Sequence, residues 1–236
     1  MTAIIRRRVS AATLASSLIL VVAACGGAGR QSMRPAPTPS PAAQGEAAAI
    51  ARARTDSLQH PYTKADIDFM TGMIAHHAQA IIMAKWAPSH GASPSVRTLC
   101  ARIINAQRDE IWIMQGWLQD RNQPVPVPDT VAMTMPMGSS MDMALMPGML
   151  TGAQMDSLDQ ARGPDFDRLF LTYMIQHHTG AISMVKDLFA SYGAAEDELT
   201  FKLASNINVD QATEIARMQR LRTSLELGIP LSKIPE

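Results

Sequence analysis

The stretch D-I-D-F-M-T-G-M-I-A-H-H-A-Q-A-I-I-M at residues 66–83 returns as D-R-L-F-L-T-Y-M-I-Q-H-H-T-G-A-I-S-M at residues 167–184, a constant offset of 101. The Asp, the Phe, Met73 and Met174, both histidines, the Ala-Ile pair and the closing Met coincide. Downstream, Ile103, Gln107, Glu110, Ile111 and Met114 match Ile207, Gln211, Glu214, Ile215 and Met218 at an offset of 104. Self-similarity at this spacing marks one supersecondary unit used twice.

The local signals make that unit a helical hairpin. Thr63 with Asp66 three residues later reads as an N-cap opening a helix that runs to about Ala87, where Pro88 stops it. Ser93-Pro94 caps a second helix that reaches about Arg121, and the short connection makes the two antiparallel. In the second copy a short helix from Gly152 to Arg162 and a break at Gly163-Pro164 precede a helix from Asp165 to about Ser191, with Gly193 as its stop. A last helix runs from about Ala195 to Leu227 and ends at Gly228. Strand alternation is absent, so the expected fold is all-α, a pseudo-two-fold four-helix bundle over residues 60–228. Hairpin one spans 60–121 and hairpin two 151–228. Between them, residues 122–150 form a long crossover with five prolines and with Met133, Met135, Met137, Met141, Met143, Met146 and Met149.

Outside the repeat, Arg6, Arg7 and Arg8 precede an uncharged run from Val9 to Ala24 and then Cys25, the pattern of a secretory signal over residues 1–24. Val22-Ala23-Ala24-Cys25 resembles the bacterial lipobox, which makes Cys25 an expected lipidation site and places the protein in the cell envelope, held to a membrane by acyl chains. Residues 25–59 read as a Pro/Ala/Ser-rich tether with a weak helix from Glu46 to Leu58, and residues 229–236 as a tail. Cys100 is the one other cysteine, so the mature chain forms no internal disulfide. Twenty-one basic residues balance twenty-one acidic ones, and no basic run follows residue 30, which argues against nucleic-acid binding.

From Phe69 to Ala84 and from Phe170 to Val185 the only ionisable side chains besides the tyrosine are histidines. A helix apolar all round is a buried one, so both His pairs are expected out of water. Met73, His76, Ala80 and Met83 share a helical face, repeated by Met174, His177, Ala181 and Met184; His77 and His178 sit about 100° round, within reach of Met73 and Met174. The second and fourth long helices add Glu110 and Met114, and Glu214 and Met218, on otherwise apolar stripes. A buried carboxylate must be paired or ligating. The candidate metal ligands are therefore His76, His77, His177, His178, Met73, Met83, Met174, Met184, Met114, Met218, Glu110 and Glu214. Carboxylate-bridged di-iron bundles place Glu three residues before His; here Met73 and Met174 stand there, and His with thioether favours Cu(I) over harder metals.

MIAHHAQAIIM at 73–83, MIQHHTGAISM at 174–184 and MPGM at 146–149 resemble the duplicated motif and intervening turn of a bacterial family called domain of unknown function 305. The resemblance covers about residues 60–228. It implies a ferritin-like four-helix bundle of exported proteins, some similar to periplasmic copper-binding proteins, with metal contacts on the four motif histidines and neighbouring methionines. The family more often has Gly before the Ala-Ile; this chain keeps Gly180 but has Gln79. The resulting expectation is an envelope lipoprotein that binds Cu(I) for sequestration or delivery, without chemical turnover, alone, as a homodimer or with a metal-exchange partner. Two alternatives stand beside it: a zinc- or iron-dependent bundle enzyme with Glu110 or Glu214 as ligand or base, and a non-metal interaction module whose buried His-Glu pairs, His76 or His77 with Glu214 and its counterpart with Glu110, only fix helix register.

Overall fold

The computed structural model describes residues 41–127 and 146–229. The helices are α1 (Pro41–Gln59), α2 (Lys64–Lys85), α3 (Pro94–Asp120), α4 (Gly152–Gln160), α5 (Pro164–Ala190) and α6 (Glu198–Glu226). No strand occurs among the described residues. Among them, too, no helix is long and apolar enough to cross a membrane.

The four long helices form as the caps dictate. Thr63 and Asp66 close a reciprocal capping box at the start of α2, and Ser93 caps α3 with Pro94 in the first helical position. Antiparallel pairs α2/α3 and α5/α6 are the two hairpins; α2 and α5 then pack on each other and join them. Both repeat helices are buried on most sides, as their missing charges require: Phe69, Met73, His76, His77 and Met83 in α2, and Phe170, Met174, His177 and His178 in α5. Helix α4 lies on α5, and α1 lies on α6.

Boundaries of α1, α4 and α6 differ from the sequence expectation, and α2 ends at Lys85, two residues before Ala87. Helix α1 begins at Pro41, so part of the stretch read as a tether is a 19-residue helix. Its alanine-rich sequence has high intrinsic helix propensity, and proline is well tolerated in a first helical turn. The end of α1 is also clamped to the bundle: Arg54 bonds Asp120 through both nitrogens Nε and Nη2 (2.9 and 2.5 Å), and buried Arg121 donates to the Ser57 carbonyl and hydroxyl (2.8 and 2.6 Å). Ser57 Oγ in turn donates to Asp197 (2.7 Å), while the Arg121 guanidinium lies 4.0 Å from the Trp117 ring centroid. Helix α4 stops at Gln160, two residues short of Arg162, because Ala161 is extended and Gly163 turns left-handed. Helix α6 starts at Glu198, capped by Asp197, and not near Ala195, which takes a left-handed φ of 55°.

Asp66 explains how Ala195 is held there. Its Oδ1 accepts the Ala195 N–H at 2.7 Å while Oδ2 serves Thr63 in the capping box. Its repeat partner mirrors it, since Asp167 of α5 accepts the N–H of Ser93, the cap of α3, at 3.2 Å through both oxygens. Each repeat helix thus ties down the turn of the other hairpin. Asp66→Ala removes a buried charged acceptor with a cap, and is expected to cost about 2–4 kcal/mol, whereas Thr63→Ala, which loses the cap alone, should cost about 1 kcal/mol. Thermal unfolding followed by circular dichroism measures both; equal losses would mean that the cross-hairpin bond contributes nothing.

Candidate metal centre

The α2–α5 interface brings His76 and His177 into ring contact, with centroids 3.8 Å apart and planes inclined by 43°. Neither residue is accessible to solvent. His76 Nε2 lies 2.9 Å from the Pro147 carbonyl, which can only accept, so the proton sits on Nε2 and Nδ1 carries a lone pair. The neighbouring histidines turn the other way, each toward the second helix of its own hairpin. His77 Nε2 meets Glu110 Oε2 at 2.8 Å, and His178 Nε2 meets Glu214 Oε2 at 2.6 Å. A carboxylate on Nε2 fixes the tautomer and again leaves Nδ1 as the basic nitrogen.

No protein group satisfies those nitrogens. Nδ1 of His76, His77 and His178, and both nitrogens of His177, are buried without a hydrogen-bond partner. An orphaned buried polar atom costs roughly 1–3 kcal/mol, so the cluster is held at a price that a bound ligand would recover. Electrostatics point the same way. Burial, opposed by the Pro147 bond and reinforced by the neighbouring His77 and His178 rings, lowers the His76 pKa to about 3. His177 is pushed well below the ordinary histidine value, chiefly by burial and then by His76, His178 and His77. Both rings are therefore neutral at pH 7 and present lone pairs, the form in which imidazole binds metal.

The thioethers lie in the same interior. Met73, Met83, Met114, Met174 and Met218 are wholly buried and Met184 partly so. They divide between two apolar clusters: Met73, Met114 and Met184 share one, Met83, Met174 and Met218 the other. Each cluster therefore receives the closing methionine of the opposite repeat. The candidate histidines and glutamates meet in pairs: His76 with His177, His77 with Glu110 and His178 with Glu214. Among the described residues, no three His, Cys, Asp or Glu side chains are grouped so that they could hold a metal ion. Met133, Met135, Met137, Met141 and Met143, and Cys25, lie outside the described residues.

Two elements of the site escape a reading by ligand type. The first is the Pro147 carbonyl, delivered by the Met146–Met149 turn. Its backbone rests directly on α5: a Cβ on Gly180 would stand 1.8 Å from the Pro147 oxygen, and one on Gly148, whose φ is +77°, would stand 2.5 Å from the Gln176 carbonyl. Only glycine at both positions permits that approach. The second is Gln79, whose Oε1 accepts the Leu150 N–H at 2.8 Å and whose Nε2 donates to the Leu150 carbonyl at 3.1 Å. Gln79 and Gly180 are equivalent positions of the repeat, and the crossover uses them unequally: it lies against the backbone of one and is hydrogen-bonded by the side chain of the other. The replacement of the family's glycine by Gln79 was the signal for this.

The fold and its doubled His-His motif define a duplicated helical bundle with an imidazole and thioether interior. The model of the family described as Domain of unknown function (DUF305) matches residues 66–222, and the chain belongs to that family. Solved structures similar to it include a DUF305 fragment from Deinococcus radiodurans (28% identity, TM-score 0.58, covering 69% of this chain and 98% of that one). A candidate secreted DUF305 protein from Streptomyces coelicolor is similar at 28% identity and TM-score 0.56, over 70% of this chain and 94% of that one. CopM in its Cu(II)-bound form is similar at 31% identity and TM-score 0.54, over 67% and 96%. A curated relative, the uncharacterized protein L153 of Acanthamoeba polyphaga mimivirus, is 39% identical over 62 residues, and this chain spans 41% of its length.

A pH dependence follows from the two neutral rings. Their folded pKa values lie below the unfolded value near 6.5, so in acid the unfolded chain binds more protons than the native one. Stability is full above about pH 6.5 and is lost as pH falls toward about 3, the folded value of His76. The midpoint of thermal unfolding should therefore decline steadily between about pH 6.5 and about pH 4, and His177→Gln should flatten that decline. An unchanged slope in the variant would remove His177 from the account.

Proposed function

We propose that this protein binds a soft metal ion, Cu(I) foremost, and holds it for sequestration or delivery in the cell envelope. The observation that carries the reading is the set of orphaned imidazole nitrogens in a bundle interior that also buries methionines from both repeats. Neutral imidazole and thioether together suit Cu(I), and Ag(I) by chemical likeness. His76, His77, His177 and His178 would supply nitrogen, with Met73 and Met174 the nearest sulfurs along each helix; Glu110 and Glu214 would orient His77 and His178 from behind. Structures of CopM in Cu(II)-, Cu(I)- and Ag-bound forms, at 28–31% identity, lend support.

Export is the second part of the proposal. It rests on the Arg6–Cys25 pattern and on the similarity to a candidate secreted relative. Cys25 would be the acylated residue, and Cys25→Ser is expected to move the protein from the membrane to the soluble fraction on cell fractionation. Retention of the variant in membranes would refute lipidation there.

The His77–Glu110 and His178–Glu214 pairs also fit the register-fixing reading, in which no metal is involved. Titration with Cu(I) against a competing chelator separates the two. The Met73→Leu/Met174→Leu double variant conserves volume and should fold within about 1.5 kcal/mol of the parent, yet bind Cu(I) at least about tenfold more weakly, a loss of about 1.4 kcal/mol. His177→Gln should weaken binding likewise. A parent protein with no affinity for Cu(I), and a thermal midpoint that Cu(I) leaves unmoved, would leave the pairs a structural role alone.

A further inference from the structure

A cleft of about 230 Å³ opens between α3 and α6, on the outer side of the two His-Glu pairs. Glu110 and Glu214 line it, each with Oε2 engaged by the histidine behind it. Exposed Asp210 stands with them, close enough that their charges add to partial burial in raising its pKa. Three carboxylates therefore face one guanidinium, that of Arg102, among the lining residues.

Acidic residues at a surface are commonplace, but the lining of this cleft includes two buried amides as well. Gln107 and Gln211, 1% and 2% exposed, both line it. Gln107 has neither Oε1 nor Nε2 hydrogen-bonded, and Gln211 has Oε1 free. They are equivalent residues of the repeat, so an unsatisfied amide oxygen occurs in both copies, one helical turn from each glutamate. A buried amide oxygen without a donor calls for something that supplies positive charge or protons.

We propose that this cleft is a separate cation site, which takes a hydrated divalent ion through oxygen donors. Carboxylate and amide oxygens are hard ligands, unsuited to Cu(I) but suited to Mg²⁺, Mn²⁺ or Ca²⁺. A small hydrated ion keeps much of its water and contacts one or two carboxylates directly, so it asks for no tight cluster of acidic ligands. The volume accommodates such an ion, since each water occupies about 30 Å³. The amide oxygens of Gln107 and Gln211 would accept from the ion's water shell or bind it directly.

The cleft shares Glu110 and Glu214 with the His-Glu pairs of the soft-metal reading but would take a different ion on their outer side, and the test keeps the two apart. Mn²⁺ is titrated into the full chain and the free ion followed by electron paramagnetic resonance. The parent should remove one Mn²⁺ per chain from the free signal. Asp210→Asn, an exposed change that leaves both His-Glu pairs in place, should weaken uptake at least about tenfold. Gln107→Leu should abolish it while holding or raising the metal-free thermal midpoint, because the orphaned amide is gone. Saturation with Ag(I) should leave Mn²⁺ uptake unchanged. Absence of Mn²⁺ binding by the parent, equal binding by Asp210→Asn and Gln107→Leu, or stoichiometric displacement of Mn²⁺ by Ag(I) would each overturn the proposal.

Discussion

The contact between His76 and His177 is the constraint around which the rest is arranged. Two imidazoles 3.8 Å apart in a dry interface can coexist only as neutral rings, and neutrality is maintained by depth of burial more than by any partner. That depth requires two helices free of charged side chains except at their ends, packed on each other and covered by a second pair. The bundle supplies this: α2 and α5 form the inner layer, α3 and α6 cover them, and the polar atoms left over are chiefly those of histidine and glutamine.

The repeat is chemically symmetrical, but its use is not. His77 and His178 find equivalent glutamates, and Asp66 and Asp167 find equivalent turns. His76 has the Pro147 carbonyl, whereas neither ring nitrogen of His177 has a partner. The difference comes from the Met146–Leu150 segment, which occurs once against a two-fold arrangement and so breaks it. Gly180 and Gln79 record that break in the sequence.

Much of this could be read before any coordinates. The constant offset between the repeats, Thr63-Asp66 and Ser93-Pro94 set the helix count and hairpin starts, and the uncharged runs around both His pairs implied their burial. Cap signals and the gap in charge are local, so one chain suffices to see them. The extent of α1 was hidden because its anchor is tertiary: Arg121, Ser57 and Asp197 come from three separated segments. The start of α6 was missed because a left-handed alanine has no signature of its own; it exists because Asp66, far away in sequence, accepts its N–H. The pairing partners of the histidines were equally beyond spacing arguments. Helical periodicity placed Glu110 and Glu214 on inward faces, but the expected pairing across the hairpins, His76 or His77 with Glu214, is replaced by pairing within each hairpin.

The crossed aspartates also bear on the segment between the copies. With each hairpin latched to the other's turn, and α2 seated on α5, the two halves are joined by contacts of their own. The Met146–Met149 turn adds a different contact, resting on Gly180 with a carbonyl aimed at His76. The halves thus hold each other, and the turn ahead of α4 has only to keep its own register against α5.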